Sequence, residues 1–411
     1  MEIKKGYKMT DVGVIPEDWE VKSIGEIAKT TSGGTPSRED DSLYIGKNRW
    51  FTTSELNDGY IYDSIEHISD EAIKITTARI VPANSILMAM YGATIGKLAI
   101  ITKESSTNQA CCAIMVNSDI VMKYVFYNLL FLRQNIIELG VGAGQPNISQ
   151  SIVRSIHISI PSKKEQQAIA DALTKVDNLI TSLTKVIEKK KLIKKGTMQK
   201  LLSGEVRLDG FEGEWNFISF KNIYTYASEG GTPDTKNEKY YKSGVIPFVK
   251  IEDTISKYIK CASTFITELG LEQSSAWILP AGNLILTNGA TIGNVSINLI
   301  PITTKQGILG IIVNSDYHTE FLYYLFKNET FQTELQSKMA IGTFATITLN
   351  NLNDIQLLIP PTKVEQTAIA KVLTTMDNEI EALEKERDKY KCIKQGMMQQ
   401  LLTGKIRLIC Q

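Results

Sequence analysis

Asp11, Glu20 and Lys22 are two carboxylates and a lysine near the start of the chain. A metal-dependent nuclease uses such a trio to hold a cation and activate water. Among 45 acidic and 45 basic residues, however, such a match arises freely. Gly140-Val-Gly-Ala-Gly144 has the glycine spacing of a nucleotide loop, but it follows a helical stretch where a strand is required. An amino-methyltransferase needs Asn or Asp before Pro-Pro and an aromatic after it. Here Pro360-Pro361 stands between Ile359 and Thr362. No Walker loop and no Gly-x-Ser-x-Gly elbow occurs. The five cysteines form no C-x-x-C pair, and three histidines are too few and too scattered for a zinc site. The residues therefore predict no catalysis, no metal and no cofactor, and reduced, partly buried thiols.

Recognition chemistry is better represented. Lys47-Asn-Arg-Trp-Phe-Thr-Thr-Ser54 and Ile246-Pro-Phe-Val-Lys-Ile-Glu-Asp253 occupy corresponding places in two halves of the chain. Lys, Arg, Asn, Gln and Glu are the side chains that match base edges in the major groove of DNA. Lys47, Arg49, Trp50, Thr52 and Ser54 are thus candidate contacts in the first half, and Lys250, Glu252 and Lys305 in the second. Two Gly-Gly-Thr-Pro turns add Thr35 and Thr232. Two Gly-Ala-Thr-Ile-Gly turns, at 92–96 and 289–293, follow Tyr91 and Asn288 and contain Thr94 and Thr291. A glycine turn brings backbone N–H groups to a phosphate, and a threonine adds a hydroxyl. Gln145 and Asn147 complete the set. Each of these residues is also compatible with an ordinary turn.

The elements that must position them come from a repeat. Ile193–Leu208 returns as Ile393–Leu408 with ten of sixteen positions identical, an offset of 200. Glu165–Asn178 returns as Glu365–Asn378 with nine of fourteen identical. Upstream, the Gly-Gly-Thr-Pro turns, the Gly-Ala-Thr-Ile-Gly turns and Asn117-Ser-Asp119 with Asn314-Ser-Asp316 all repeat at an offset of 197. Chance does not place so many matches in one register. Residues 37–90 and 234–287 share little beyond pattern, as expected of two related readers with different targets.

Each repeat reads as a mixed globular domain followed by a helix. Ile169, Leu173, Val176, Ile180, Leu183, Ile187 and Leu201 lie on steps of four and three, and so do Ile369, Leu373, Met376, Ile380, Leu383, Tyr390, Met397 and Leu401. That is a coiled-coil seam. The two stripes are expected to pack antiparallel within the chain, placing the domains at opposite ends with pseudo-twofold symmetry. Met198, Leu202, Met398 and Leu402 lie off the seam and suit a docking surface. The expected fold class is α+β, with domains at 1–160 and 205–359 and helical spacers at 161–204 and 360–411. Strands are expected at 85–90, 111–116, 283–287 and 307–313, and closing helices at 124–139 and 320–335.

The net charge is zero, which counts against a lone DNA binder. Charge is nevertheless segregated: Lys185–Lys200 holds seven lysines and one glutamate. No run approaches the ~18 apolar residues of a membrane span, so a cytoplasmic protein is expected.

These residues carry a family resemblance. The twofold repeat, the Gly-Gly-Thr-Pro and Gly-Ala-Thr-Ile-Gly turns, Ile-Pro followed by Glu-Gln-x-Ala-Ile-Ala, and the closing Gln-x-Leu-Leu-(Ser/Thr)-Gly resemble the specificity subunit of type I restriction–modification systems, over nearly the whole chain. The resemblance implies two target recognition domains, each reading half of a split site in double-stranded DNA. It implies helices that set the spacing and dock two methyltransferase subunits, with motor-endonuclease subunits in the larger complex. Methylation and cleavage would then belong to those partners. Gln145-Pro-Asn147-Ile-Ser149 fits the family pattern, whereas Phe344-Ala-Thr-Ile-Thr348 departs from it. A self-sufficient nuclease or methyltransferase, or a coiled-coil scaffold without nucleic acid, are the competing readings.

Overall fold

The computed structural model describes residues 5–140, 147–289, 291–339 and 346–408. The chain divides into two compact units: Met1–Thr184 with Lys385–Gln411, and Lys185–Glu384.

Each unit is built on a five-stranded sheet. In the first the order is Ala28–Ser32, Cys111–Val116, Ile86–Ala89, Leu98–Ile101 and Tyr60–Ile61. In the second it is Tyr224–Glu229, Ile308–Val313, Leu284–Thr287, Val295–Asn298 and Tyr258–Ile259. Neighbours are antiparallel except the last, two-residue strand, which runs parallel. The central strands are buried along almost their whole length because both sheet faces are covered, and they are apolar apart from the buried Thr287, Ser296 and Asn298 of the second unit. Successive side chains point to opposite faces of a strand. Ile86 and Met88 therefore enter the core shared with the helices, while Leu87 and Ala89 enter a second core with Phe51, Leu56 and Val81. The second unit repeats the division: Leu284 and Leu286 face the helices, and Ile285 faces Val249, Leu279 and Ile302. Each such fully buried aliphatic side chain contributes roughly 1.5–3 kcal/mol.

The second core is roofed by a three-stranded sheet, Asn48–Phe51 between Glu66–Ile68 and Ser106–Thr107. Its counterpart is Ile246–Val249 between Thr264–Ile266 and Thr303–Thr304. Each closing helix, expected as one piece, is two: Met122–Phe131 with Arg133–Leu139, and Thr319–Lys327 with Glu329–Ser337. The second break falls at Asn328, whose extended backbone (φ −69°, ψ 143°) ends one helix and begins the next.

The long helices are Lys163–Leu202 and Lys363–Leu401. At 1.5 Å per residue, 40 residues span about 60 Å. Pro161 and Pro361 stand shortly before them, and Gly204 and Gly404 follow with φ of 72° and 68°, the left-handed C-terminal cap that glycine adopts without strain. Packing is antiparallel: in the second unit Lys190 meets Glu379 at 2.5 Å and Lys194 meets Asp377. Lys394 meets Asp177 at 2.6 Å in the first. Seam burial is uneven. Ile169, Leu173, Ile187, Leu201, Ile369, Leu373, Ile380 and Leu401 are buried. Val176, Leu183, Met376, Leu383 and Tyr390 are only half-buried, as are Ile180 and Met397. Ile169, Leu173, Leu201, Ile369, Leu373 and Leu401 are buried where a globular domain adds a third surface, whereas Ile187 is buried outside those cores. No helix among the described residues is long and apolar enough to cross a membrane.

Candidate nucleic-acid interface

The Gly-Gly-Thr-Pro segments are threading points. A Cβ on Gly33 would lie 1.7 Å from Thr107 O, and one on Gly34 2.2 Å from Thr77 Oγ1. At Gly230 and Gly231 the corresponding approaches are 1.9 Å to Thr304 O and 2.3 Å to Ala276 N. Only glycine passes here, and the passage delivers the next residue to one loop. Thr35 Oγ1 donates to Gln109 Oε1 at 2.5 Å, and the Gln306 N–H donates to Thr232 Oγ1 at 3.3 Å.

That loop, 108–110 or 305–307, ties the candidate segments together. Asn108 N–H donates to Phe51 O, and Met90 N–H to Ala110 O. In the second unit Lys305 N–H donates to Val249 O, and both Asn288 and Gly289 N–H donate to Gly307 O. The small-sheet residues, the Gly-Gly-Thr-Pro threonine and the Gly-Ala-Thr-Ile-Gly turn therefore share one edge of each unit. Sequence reasoning missed Gln109 and Gln306. The signal was available, because Thr107 and Gln109 return as Thr304 and Gln306 at the offset of 197.

Of the first-unit candidates, Lys47 is exposed and lies 3.9 Å from Asp70. Arg49 is held by Asp63 at 3.0 Å and by Tyr62 O at 3.2 Å. Thr52 and Ser54 share a hydroxyl hydrogen bond of 2.9 Å at the turn after the strand. Trp50 is a correction. It is 2% exposed and its Nε1–H donates to Gly34 O at 2.9 Å, so it is a core residue that cannot stack on or read a base. In the second unit Lys250 is half-buried and Glu252 and Lys305 are exposed. All three line one cavity with Thr232.

In the first unit the Gly-Ala-Thr-Ile-Gly turn is a short 3-10 helix, Gly92–Thr94, and the Thr94 hydroxyl donates to Tyr91 O at 3.3 Å. Gly92 has φ 68° and open space where a Cβ would be. Tyr91 is 42% exposed and bridged to Asn147, which brings two candidates from distant parts of the sequence together. Gln145 lies outside the described residues, as do Gly144 and Phe344. Thr291 is exposed. Asn288 is the second correction: it is 2% exposed, and its amide donates to Ile347 O at 3.1 Å and to Glu229 Oε1. It clamps the turn to the segment before Thr348 and presents nothing to a groove.

The residues weighed for catalysis are engaged otherwise. Lys22 pairs with Glu20 at 2.8 Å, and Asp11 lies 3.6 Å from His157. Among the described residues no group of three or more His, Cys, Asp or Glu side chains could hold a metal ion.

Two mixed units of one plan, each presenting an edge of polar and cationic side chains and each joined to half of an antiparallel helix pair, define a duplicated α+β recognition protein. Residues 16–194 and 212–389 match the family model described as the type I restriction modification DNA specificity domain. The chain belongs to that family. The specificity subunit of the type I restriction enzyme MjaVIII of Methanocaldococcus jannaschii is 28% identical to it, over 96% of this chain and 94% of that one. The EcoR124I/EcoR124II specificity subunit of Escherichia coli is 28% identical over 40% of this chain and 42% of its own length. A crystal structure of the S subunit from M. genitalium superimposes with a TM-score of 0.60 at 17% identity, covering 98% of each chain. That likeness is one of fold.

Proposed function

We propose that this chain is the DNA-reading specificity subunit of a type I restriction–modification complex, reading a split target with one unit per half-site. Two matched family domains in one chain carry this reading, because each brings the same set of turns and the same polar edge. Their divergence within 37–90 and 234–287 supports two unlike half-sites. A 60 Å helix exceeds one duplex turn of ~34 Å, which supports several unread base pairs between them. The helices would dock two methyltransferase subunits, and motor-endonuclease subunits would join the larger assembly. Of the off-seam residues expected at such a surface only Met198 is half-buried, whereas Leu202, Met398 and Leu402 are buried in the domain cores. Adenine methylation and cleavage then lie with those partners, and this chain contributes no reacting group.

The test is to co-express the chain with the methyltransferase subunit of its system and map methylated positions across the host chromosome. A split motif with modified adenines in both halves is expected. One contiguous motif, or methyl transfer by the purified chain alone, would overturn the reading.

A further inference from the structure

The two units differ at one seat on the small sheet. In the first, the Arg38 guanidinium lies 4.2 Å from the centre of the Tyr44 ring and 5.4 Å from that of Trp50. Glu66 accepts two hydrogen bonds from it, at 2.6 and 2.8 Å. The ion pair packs against both rings, which meet each other edge to face at 5.8 Å. The second unit has the same frame. Tyr44 and Tyr241 each donate their hydroxyl to the proline of the Gly-Gly-Thr-Pro turn, at 2.7 and 2.6 Å. Trp50 pairs across the sheet with Glu66, and Phe248 with Thr264. Arg38 stands three residues after Thr35, and Thr235 three after Thr232. Arginine and glutamate in one unit are thus two threonines in the other. At the corresponding place the second unit has an open cavity of about 390 Å³ lined by Tyr241 and Phe248, whose rings meet edge to face at 6.4 Å.

Six polar side chains line that cavity: Thr232, Thr235, Thr264, Lys250, Glu252 and Lys305. Among the described residues neither lysine takes part in an ion pair. The lining therefore offers ammonium and hydroxyl donors together with a carboxylate acceptor. A phosphate only accepts hydrogen bonds and is repelled by a carboxylate. A base edge presents both kinds of group: Glu accepts from the amino group of cytosine or adenine, while Lys and Thr reach O6, N7 or O4. Resting on the specificity-subunit reading above, we propose that this cavity is the seat where the second unit reads a base-pair edge bearing an exocyclic amino group. Thr235 and Thr264 determine that reading by leaving the seat open, whereas Arg38 and Glu66 close it in the first unit.

The experiment uses the full chain co-expressed with its methyltransferase subunit, with the host chromosome as substrate and methylated adenines as readout. Thr235→Arg with Thr264→Glu rebuilds the plug. It is expected to alter or abolish recognition in one half of the motif only, with methylation of wild-type sites falling roughly tenfold or more. Glu252→Gln, an exposed change that leaves the core intact, is expected to relax discrimination at one base pair of that same half. If the double variant fails to fold, Glu252→Gln and Lys305→Gln decide the matter. Wild-type motif and rate in all variants would overturn the proposal alone. So would equal weakening across all sequences with a shallower salt dependence, which is the mark of a phosphate contact. A wild-type complex that neither methylates nor binds duplex would overturn the specificity-subunit reading itself.

Discussion

Arg407 clasps Glu165 from 242 residues away, its Nε and one terminal nitrogen donating to the two carboxylate oxygens at 2.8 Å. Arg207 does the same to Glu365, at 2.6 and 2.7 Å. The Trp19 and Trp215 indoles each donate to the same carboxylate as the local arginine, at 3.3 Å. Glu165 is 3% exposed and Glu365 1%. Each helix thus opens on a buried charge that is neutralised by an arginine following the other helix.

Removing one partner of a buried pair strands the other charge. Arg407→Ala is expected to destabilise the first unit by about 3 kcal/mol, read as a shift in its urea unfolding midpoint. Arg407→Lys is expected to recover only part, because an ammonium cannot reproduce the planar bidentate fork. Adding Glu165→Gln to Arg407→Ala should recover more than lysine does. An unmoved midpoint in Arg407→Ala would show that solvent already screens the pair.

The threading glycines allow a steric prediction. Gly33→Ala and Gly230→Ala place a methyl group within 2 Å of a strand carbonyl oxygen, at 1.7 and 1.9 Å. Each is expected to disorder the small sheet of its own unit, seen as lost amide protection in hydrogen exchange confined to that unit. Gly196→Ala, with open space around its Cβ, is the control expected to be tolerated.

Cysteine reactivity should divide by burial. Burial pushes the Cys111 and Cys112 thiols up to about 12, so at neutral pH both stay protonated and unreactive. Cys261 and Cys392 are exposed. Iodoacetamide at pH 7.5, followed by peptide mass mapping, is expected to label the latter pair first and Cys111 and Cys112 only after denaturation. Rapid labelling of Cys111 in the folded chain would contradict the sheet register that buries it.

The ion pair at the closed seat sets a pH dependence. The hydrogen-bonded Arg38 guanidinium holds the Glu66 carboxyl below its ordinary value of 4.5. A lowered folded-state value means that the pair's contribution is fully present above about pH 4.5 and is lost as pH falls through the lowered value. Wild type is therefore expected to exceed Glu66→Gln in Tm at neutral pH, with the gap closing below about pH 4.5. A gap that is constant with pH would assign the difference to packing.

Much of the architecture was legible in residue order. The 200-residue and 197-residue offsets announced two copies, and steps of four and three announced the long helices. The apolar runs around Ile86 and Cys111 announced buried strands, because these signals are local and periodic. The site was less legible. Trp50 sits among Lys, Asn, Arg and Thr, yet in a strand its neighbours face away from it, and it goes into the core. Asn288 corresponds to an exposed tyrosine in the other copy but turns inward to clamp Ile347.

Repetition and periodicity by themselves determined the duplicated plan and the two helices, since each depends only on near neighbours and on which face must leave water. Three features were decided by tertiary structure alone: the Arg407–Glu165 clasp, the loop of Gln109 and Gln306 that joins each polar edge, and the seat that Arg38 fills and Thr235 leaves open. Each depends on groups tens to hundreds of residues apart meeting at hydrogen-bonding distance, and only the folded sheet register and the antiparallel helix pairing bring them there.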